Sequence, residues 1–264
     1  MITREQQLFI NKALPELKRD SRIVGIALGG SYIQKETMDE FSGLDFVIAV
    51  RDEDWDAVLG DRISIAERLG TLMAYFTGDH IQRPNQLICL YDEPLMHVDL
   101  GFVQLSQVGR RYDNPVVMFE KDSLMSEAYW QQPVTTQIPD LQWFEDRFWV
   151  WVHFITSRIG RGELFDAIDS LSFLRLHVLG PLISMKNGKP SHGVRHIEQE
   201  SPSDARMLID TVAAYDAHSC VRALKAATDI YISLRGINIG ATFLREKAER
   251  AALEYLKRIS DRLD

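Results

Sequence analysis

The sequence predicts an α+β protein: a mixed sheet flanked by helices over residues 1–125, a linker over 126–140, and an α-helical bundle over 141–264. Three observations predict it. Short apolar runs bounded by glycine, proline or acidic residues recur up to about residue 120, as buried strands do. Pro133 and Pro139 stand among polar residues between Ser126 and Asp140, which marks a joint. Beyond that joint no strand signal returns, and the apolar residues fall at helical spacing.

The elements follow in order. Thr3 to about Lys18 reads as a helix with Thr3 as its cap and Gln6 at the capping-box position. Phe9, Ala13 and Leu17 share one face, and Pro15 marks a kink or an early end. Ile23 to Leu28 and Phe46 to Val50 are strands, with a short helix from about Tyr32 in the polar connection between them. Asp52, Glu53, Asp54 and Asp56 open a further helix, where acids suit the dipole, and it runs to about Gly70. Ala74 to Thr77, Gln86 to Tyr91, Met96 to Val103 and Pro115 to Glu120 are strands, with a hairpin turn around Asp92-Glu93-Pro94. Five helices follow: 141–159, 163–185, 203–215, 217–234 and 243–262.

Chemistry concentrates between the first two strands, in Gly29-Gly30-Ser31 through Asp45. Two glycines let a backbone approach a phosphate without a Cβ in the way. Ser31 adds a hydroxyl, and the N–H groups of a following helical turn favour an anion. Asp45, at the head of the next strand, is placed to hold a divalent ion against those phosphates. On the later strand Asp99 lies between Val98 and Leu100. If those two face the core, Asp99 faces the other side of the sheet, beside Asp45. His97 shares that face. Neither a P-loop nor a dinucleotide fingerprint is present.

Gly29-Gly30-Ser31, a polar connection, Ser42-Gly43-Leu44-Asp45, and Asp99 on a third strand together resemble the DNA polymerase β-like nucleotidyltransferase superfamily. The helical half is similar to that of aminoglycoside and lincosamide nucleotidyltransferases, with Phe148-Trp149, then Arg161-Gly162-Glu163 opening a long helix. The resemblance implies transfer of a nucleoside monophosphate, AMP from ATP in the first instance, to a hydroxyl of a small molecule of the antibiotic type. It implies Gly29, Gly30 and Ser31 as nucleotide-binding residues and Asp45 and Asp99 as catalytic, metal-binding carboxylates. Glu163 is a catalytic candidate as general base or substrate partner, beside its simpler reading as a helix-start acid. Mg²⁺ is the implied cofactor, with ATP or another nucleoside triphosphate as substrate. The chain departs from the pattern at Gly43, where the family has the first Asp of its D-x-D pair. That departure carries the alternative: a degenerate, nucleotide- or partner-binding pseudoenzyme. Gly43→Asp is then expected to raise Mg²⁺-dependent nucleotide affinity or turnover.

Composition narrows the partners. A 264-residue chain with 45% hydrophobic residues is long enough for one large or two ordinary domains. A formal net charge of -8 argues against a nucleic-acid partner and suits a cationic acceptor. The longest apolar stretch contains His153 and is too short to span a bilayer. Cys89 and Cys220 form no disulfide framework or metal-ligand spacing, which fits the cytoplasm. A homo-oligomer is compatible with all of this. Phe144, Phe148, Trp151 and Ile155 read as core at helical spacing. An Arg147…His153 pair has the spacing of a ribonuclease motif, which the acidic charge disfavours. Lys186, Lys189 and Arg195 read as a solvated basic loop, with reach to a triphosphate as their functional reading.

Overall fold

The computed structural model describes residues 1–33, 38–135, 140–237 and 242–263. The chain divides into two compact units, Met1–Thr136 and Gln137–Asp264. The α+β architecture expected from the sequence is the one it adopts: a mixed sheet with helices first, then helices alone.

The first unit opens with α1 (Arg4–Arg19), capped as its sequence implies: Gln6 N–H donates to Thr3 Oγ1, and Thr3 N–H to Gln6 Oε1. The helix runs through Pro15, which is exposed, so the carbonyl it leaves unbonded can face water. The strands are β1 (Ile23–Leu28), β2 (Leu44–Val50), β3 (Thr71–Gly78), β4 (Arg83–Asp92), β5 (Met96–Gln104) and β6 (Val116–Glu120), with α2 (Trp55–Leu69) between β2 and β3. They form one sheet in the order β3-β4-β5-β2-β1-β6. Only β2 and β5 pair in parallel; the rest are antiparallel.

Burial alternates along the central strands, as the two-residue period of a sheet requires. Leu44, Phe46 and Ile48 on β2, Leu87, Cys89 and Tyr91 on β4, and Val98, Leu100 and Phe102 on β5 face a core that includes Phe9, Ile10, Ala13 and Leu17 of α1 and Val58, Ile65 and Leu69 of α2. The opposite face is covered near β1 and β6 by α3 (Leu124–Gln131). There Met125 packs so closely that a Cβ on Gly25 would stand 2.9 Å from its Sδ.

Helix α3 corrects the expected linker over 126–140, whose first residues it occupies. Leu124, Met125, Ala128 and Tyr129 join a small cluster with Ala27 and Ala49, and Arg111 stacks over the Tyr129 ring. One buried methionine and a cation–π contact hold this short helix against the sheet. Of the connection between β1 and β2, the described residues show a 3₁₀ turn at Gly30–Tyr32; the short helix expected from about Tyr32 falls on residues 34–37, which lie outside them.

In the second unit, α4 (Leu141–Gly160) packs with α5 (Leu164–Leu174), α9 (Ala217–Ile237) and α10 (Glu246–Leu263). The helix expected over 163–185 is α5, a π-wound stretch at Arg175–Leu179, and α6 (Gly180–Lys186). Pro181 has no N–H for the regular ladder, which accounts for the change of winding there. The helix expected over 203–215 stops early: after α7 (Ile197–Glu200), α8 covers Pro202–Ile209. Phe144, Phe148, Trp149 and Ile155 of α4 enter the bundle's own core, while Trp143 and Phe154 stay exposed, so the helix is not buried all round.

In the second turn of α4, against the end of α9 and the start of α10, sits Glu145, 1% exposed. It accepts hydrogen bonds from Tyr231 Oη at 2.7 Å, the Arg245 backbone N–H at 2.9 Å and Trp149 Nε1 at 3.2 Å, with Arg235 beside it. Burial pushes its pKa up, but these donors and the Arg235 charge outweigh that and hold it below the ordinary value. Its stabilising contribution is therefore complete above the unfolded-state value and is lost as pH falls through the lower folded value. Accordingly, the gap in unfolding free energy between wild type and Glu145→Gln is expected to be widest above about pH 4.5 and to close on further acidification, as read by urea titrations across that range.

Candidate functional site

The site is built where β1 ends and β2 begins. Leaving β1, the chain turns at Gly29-Gly30-Ser31 and is fastened to β2 by Gly29 N–H donating to the Asp45 carbonyl at 2.8 Å. Gly30 has φ +55°, the left-handed region that favours glycine. A Cβ there would stand 2.0 Å from Asp45 Oδ2, so the carboxylate lies directly against the Gly30 backbone. Gly29 is less constrained: its φ is −105° and its nearest neighbour would be 3.9 Å away. Ser31 is half-buried beside them.

Across the sheet, Asp45 pairs with Asp99 in the parallel β2–β5 register. Both fall on the face away from the main core, each between buried neighbours: Leu44 and Phe46, Val98 and Leu100. Gln86 of β4 donates from Nε2 to Asp99 Oδ2 at 2.6 Å. Gly101 is opposite Gln86 in the register, and a Cβ there would stand 3.3 Å from the Phe46 carbonyl oxygen. The other oxygen, Oδ1, is buried and accepts no hydrogen bond; His97 Nε2 lies 3.0 Å from it. Gln86 has no place in the sequence reading. Its only signal is a polar residue at the head of an apolar run, on the same alternation as Asp99.

Solved structures similar to this chain include the following two. One is an aminoglycoside 6-adenyltransferase from Bacillus subtilis, 17% identical, with 98% of this chain and 99% of that one covered and a TM-score of 0.43. The other is a nucleotidyltransferase-like protein from Exiguobacterium sibiricum, 11% identical, covering 86% of this chain and 74% of that one, TM-score 0.40. No protein-family model and no curated protein sequence matches. At these identities the chemistry has to be read from the chain's own residues.

Those residues favour one ion more than two. Among the described residues, no three His, Cys, Asp or Glu side chains are gathered to hold a metal. Mg²⁺, however, is commonly held by one or two carboxylates together with substrate phosphates. Asp45 and Asp99, with a buried oxygen on Asp99 that lacks a hydrogen-bond donor, fit that arrangement. Asp39 does not extend it: its Oδ1 accepts from Phe41 N–H and Ser42 Oγ and so forms the local turn. That turn is anchored by Gln6, whose Nε2 donates to the Asp39 and Ser42 carbonyls, both at 2.8 Å.

The other expected residues belong to the second unit and have local partners. Glu163 precedes α5 and pairs with Arg158. Lys186 pairs with the buried Asp204 at 2.6 Å, and Lys189 lies 3.5 Å from Glu200. Arg147 stacks on Trp143 and His153 on Tyr255, so the two turn to different neighbours.

Gly43 alters the expectation for Gly43→Asp. A Cβ there would stand 2.9 Å from the His97 carbonyl oxygen, which belongs to the backbone of β5. Gly43→Asp must therefore move a strand, at a cost on the order of 1–3 kcal/mol. Gly30→Ala should likewise cost on the order of 1–3 kcal/mol through backbone strain, while Gly29→Ala should stay within about 0.5 kcal/mol of wild type. Denaturant midpoints of the three variants test this set together.

Proposed function

We propose that the chain is a nucleotidyltransferase that moves a nucleoside monophosphate from a nucleoside triphosphate, AMP from ATP in the first instance, to a hydroxyl of a small molecule. The observation that carries this reading is the in-register pair Asp45–Asp99 beside the left-handed Gly30 turn. The turn offers backbone that phosphates can approach closely, and Ser31 adds a hydroxyl. Asp45 and Asp99 would hold the divalent ion, and Gln86 fixes the plane of the Asp99 carboxylate. When bound, the ion neutralises charge on the phosphates and on the departing pyrophosphate.

In the reaction the acceptor oxygen bonds to the α-phosphorus in line. The bond from that phosphorus to the α–β bridging oxygen breaks, pyrophosphate leaves with the bonding pair, and the acceptor proton passes to solvent. Catalysis of this kind is positioning and electrostatics. An acidic chain is a reasonable host for a cationic acceptor such as an aminoglycoside-type antibiotic. Glu163, engaged with Arg158, is needed for none of these steps.

Gly43 favours a second reading, a protein that binds nucleotide without turning it over. Thermal shift of the full chain with each of the four ribonucleoside triphosphates, with Mg²⁺ or with chelator, tests binding; pyrophosphate release with candidate aminoglycoside and lincosamide acceptors tests turnover. At about a hundred times Kd a nucleotide stabilises by about 2.7 kcal/mol. A Mg²⁺-dependent shift in wild type, lost in Asp45→Asn and Asp99→Asn, is the expected result. No shift with any nucleotide overturns both readings, and a shift without pyrophosphate release favours the second.

A further inference from the structure

The place that Gly43 leaves empty is not open space. A Cβ on Gly43 would point at His97, 2.9 Å from its carbonyl oxygen and 3.6 Å from its Nδ1. The imidazole thus stands beside the position from which a side chain at 43 would extend. Its far nitrogen, Nε2, lies 3.0 Å from Asp99 Oδ1, the buried carboxylate oxygen that accepts no hydrogen bond. The imidazole itself is largely open, with 59% of its side chain exposed.

Two properties distinguish this pair from an ordinary surface ion pair. First, the carboxylate oxygen that faces the imidazole is itself buried, whereas the oxygens of a surface ion pair stay in water. Second, the spacing is that of two ligands. Neighbouring ligands of an octahedral ion with bonds of about 2.1 Å stand about 3.0 Å apart. Gln86 secures the other oxygen of Asp99, as an outer-shell partner does for a ligating carboxylate.

We propose that His97 is a metal ligand of this site. It coordinates through Nε2 jointly with Asp99 Oδ1 and takes the part that a carboxylate at position 43 would otherwise take. The inference rests on the nucleotidyltransferase reading above. It changes the ion the site prefers. Imidazole is a poor partner for Mg²⁺ and a good one for first-row transition ions, so the site should select Mn²⁺ or a similar ion over Mg²⁺. Among the described residues, Asp45 is not gathered with His97 and Asp99 into a three-ligand set; it lies beside Asp99 in the sheet register, and triphosphate oxygens and water complete the shell. Glycine at 43 and histidine at 97 then form one coupled feature: a side chain at 43 would displace the strand that carries the imidazole.

The test uses the full-length protein, Mn²⁺ and each of the four ribonucleoside triphosphates. The electron-spin signal of free Mn²⁺ measures binding, and pulsed measurements detect ¹⁴N coupled to the bound ion. Wild type is compared with His97→Ala and Asp99→Asn, with thermal midpoints of the metal-free proteins to establish folding; the exposure of His97 makes its replacement tolerable. The expected result is ¹⁴N coupling in wild type that disappears in His97→Ala. That variant should also lose on the order of tenfold or more in Mn²⁺ affinity and less in Mg²⁺ affinity. Mn²⁺ binding that is lost in Asp99→Asn but unchanged in His97→Ala, without a histidine nitrogen signal, overturns this inference and leaves the nucleotidyltransferase reading standing. No Mn²⁺ or Mg²⁺ binding by wild type with any nucleotide overturns both.

Discussion

The parallel pairing of β2 with β5 is the constraint on which the first unit depends. Side chains alternate across a sheet with a period of two, so one register decides both faces at once. In the register observed, Leu44, Phe46 and Ile48 lie beside Val98, Leu100 and Phe102 against α1 and α2, and Asp45 and Asp99 are left together on the other face. Slipping one strand by a single residue would expose three of these apolar side chains and drive a carboxylate into the core. Burying one large apolar side chain is worth about 1.5–3 kcal/mol, and an unpaired buried carboxylate costs several more. The hydrophobic core thus holds the two acids side by side. No direct attraction between them is needed, and like charges offer none.

Around that pair, space is divided by glycines with different duties. Gly30 is required twice, by its left-handed backbone and by the carboxylate pressed against it. Gly29 is required by neither in the protein itself, and Gly101 lies where a Cβ would stand 3.3 Å from the Phe46 carbonyl oxygen. Gly43 leaves room for β5. The same residue type therefore serves as a conformational device, a clearance and an absence of ligand, and only position tells these apart.

Much of this was legible in the sequence because it follows from alternation and caps. The strand of Asp99 and the face it presents were readable from Val98 and Leu100, and the first cap from Thr3 and Gln6. What escaped was whatever depends on a partner distant in the chain. Helix α3 is held by Met125 under Gly25 and by Arg111 over Tyr129, and no local pattern shows either contact. Gln86 gains its meaning from a residue 13 positions away on the next strand. Gly43 could be seen to lack a carboxylate, but the strand occupying that space could not be seen. The role of Glu145 has no local signal, because its donors come from Tyr231 and Arg245, some 90 residues on.

Glu145 and Asp99 show how surroundings decide what a carboxylate is for. Glu145 is saturated: a phenol, an indole, a backbone N–H and a guanidinium engage its two oxygens, and its charge holds the bundle together. Such a group is unavailable for chemistry, since engaging a ligand would mean breaking the core. Asp99 has one oxygen secured by Gln86 and one that is buried without a hydrogen bond. An unsatisfied buried acceptor costs on the order of 1–3 kcal/mol, and a chain that supplies a full donor set to Glu145 has the means to avoid that cost. Such exceptions concentrate at functional sites. The unmet oxygen of Asp99, facing an imidazole and lying beside Asp45 in the register, is therefore a place in the first unit where a ligand would complete what the fold leaves open.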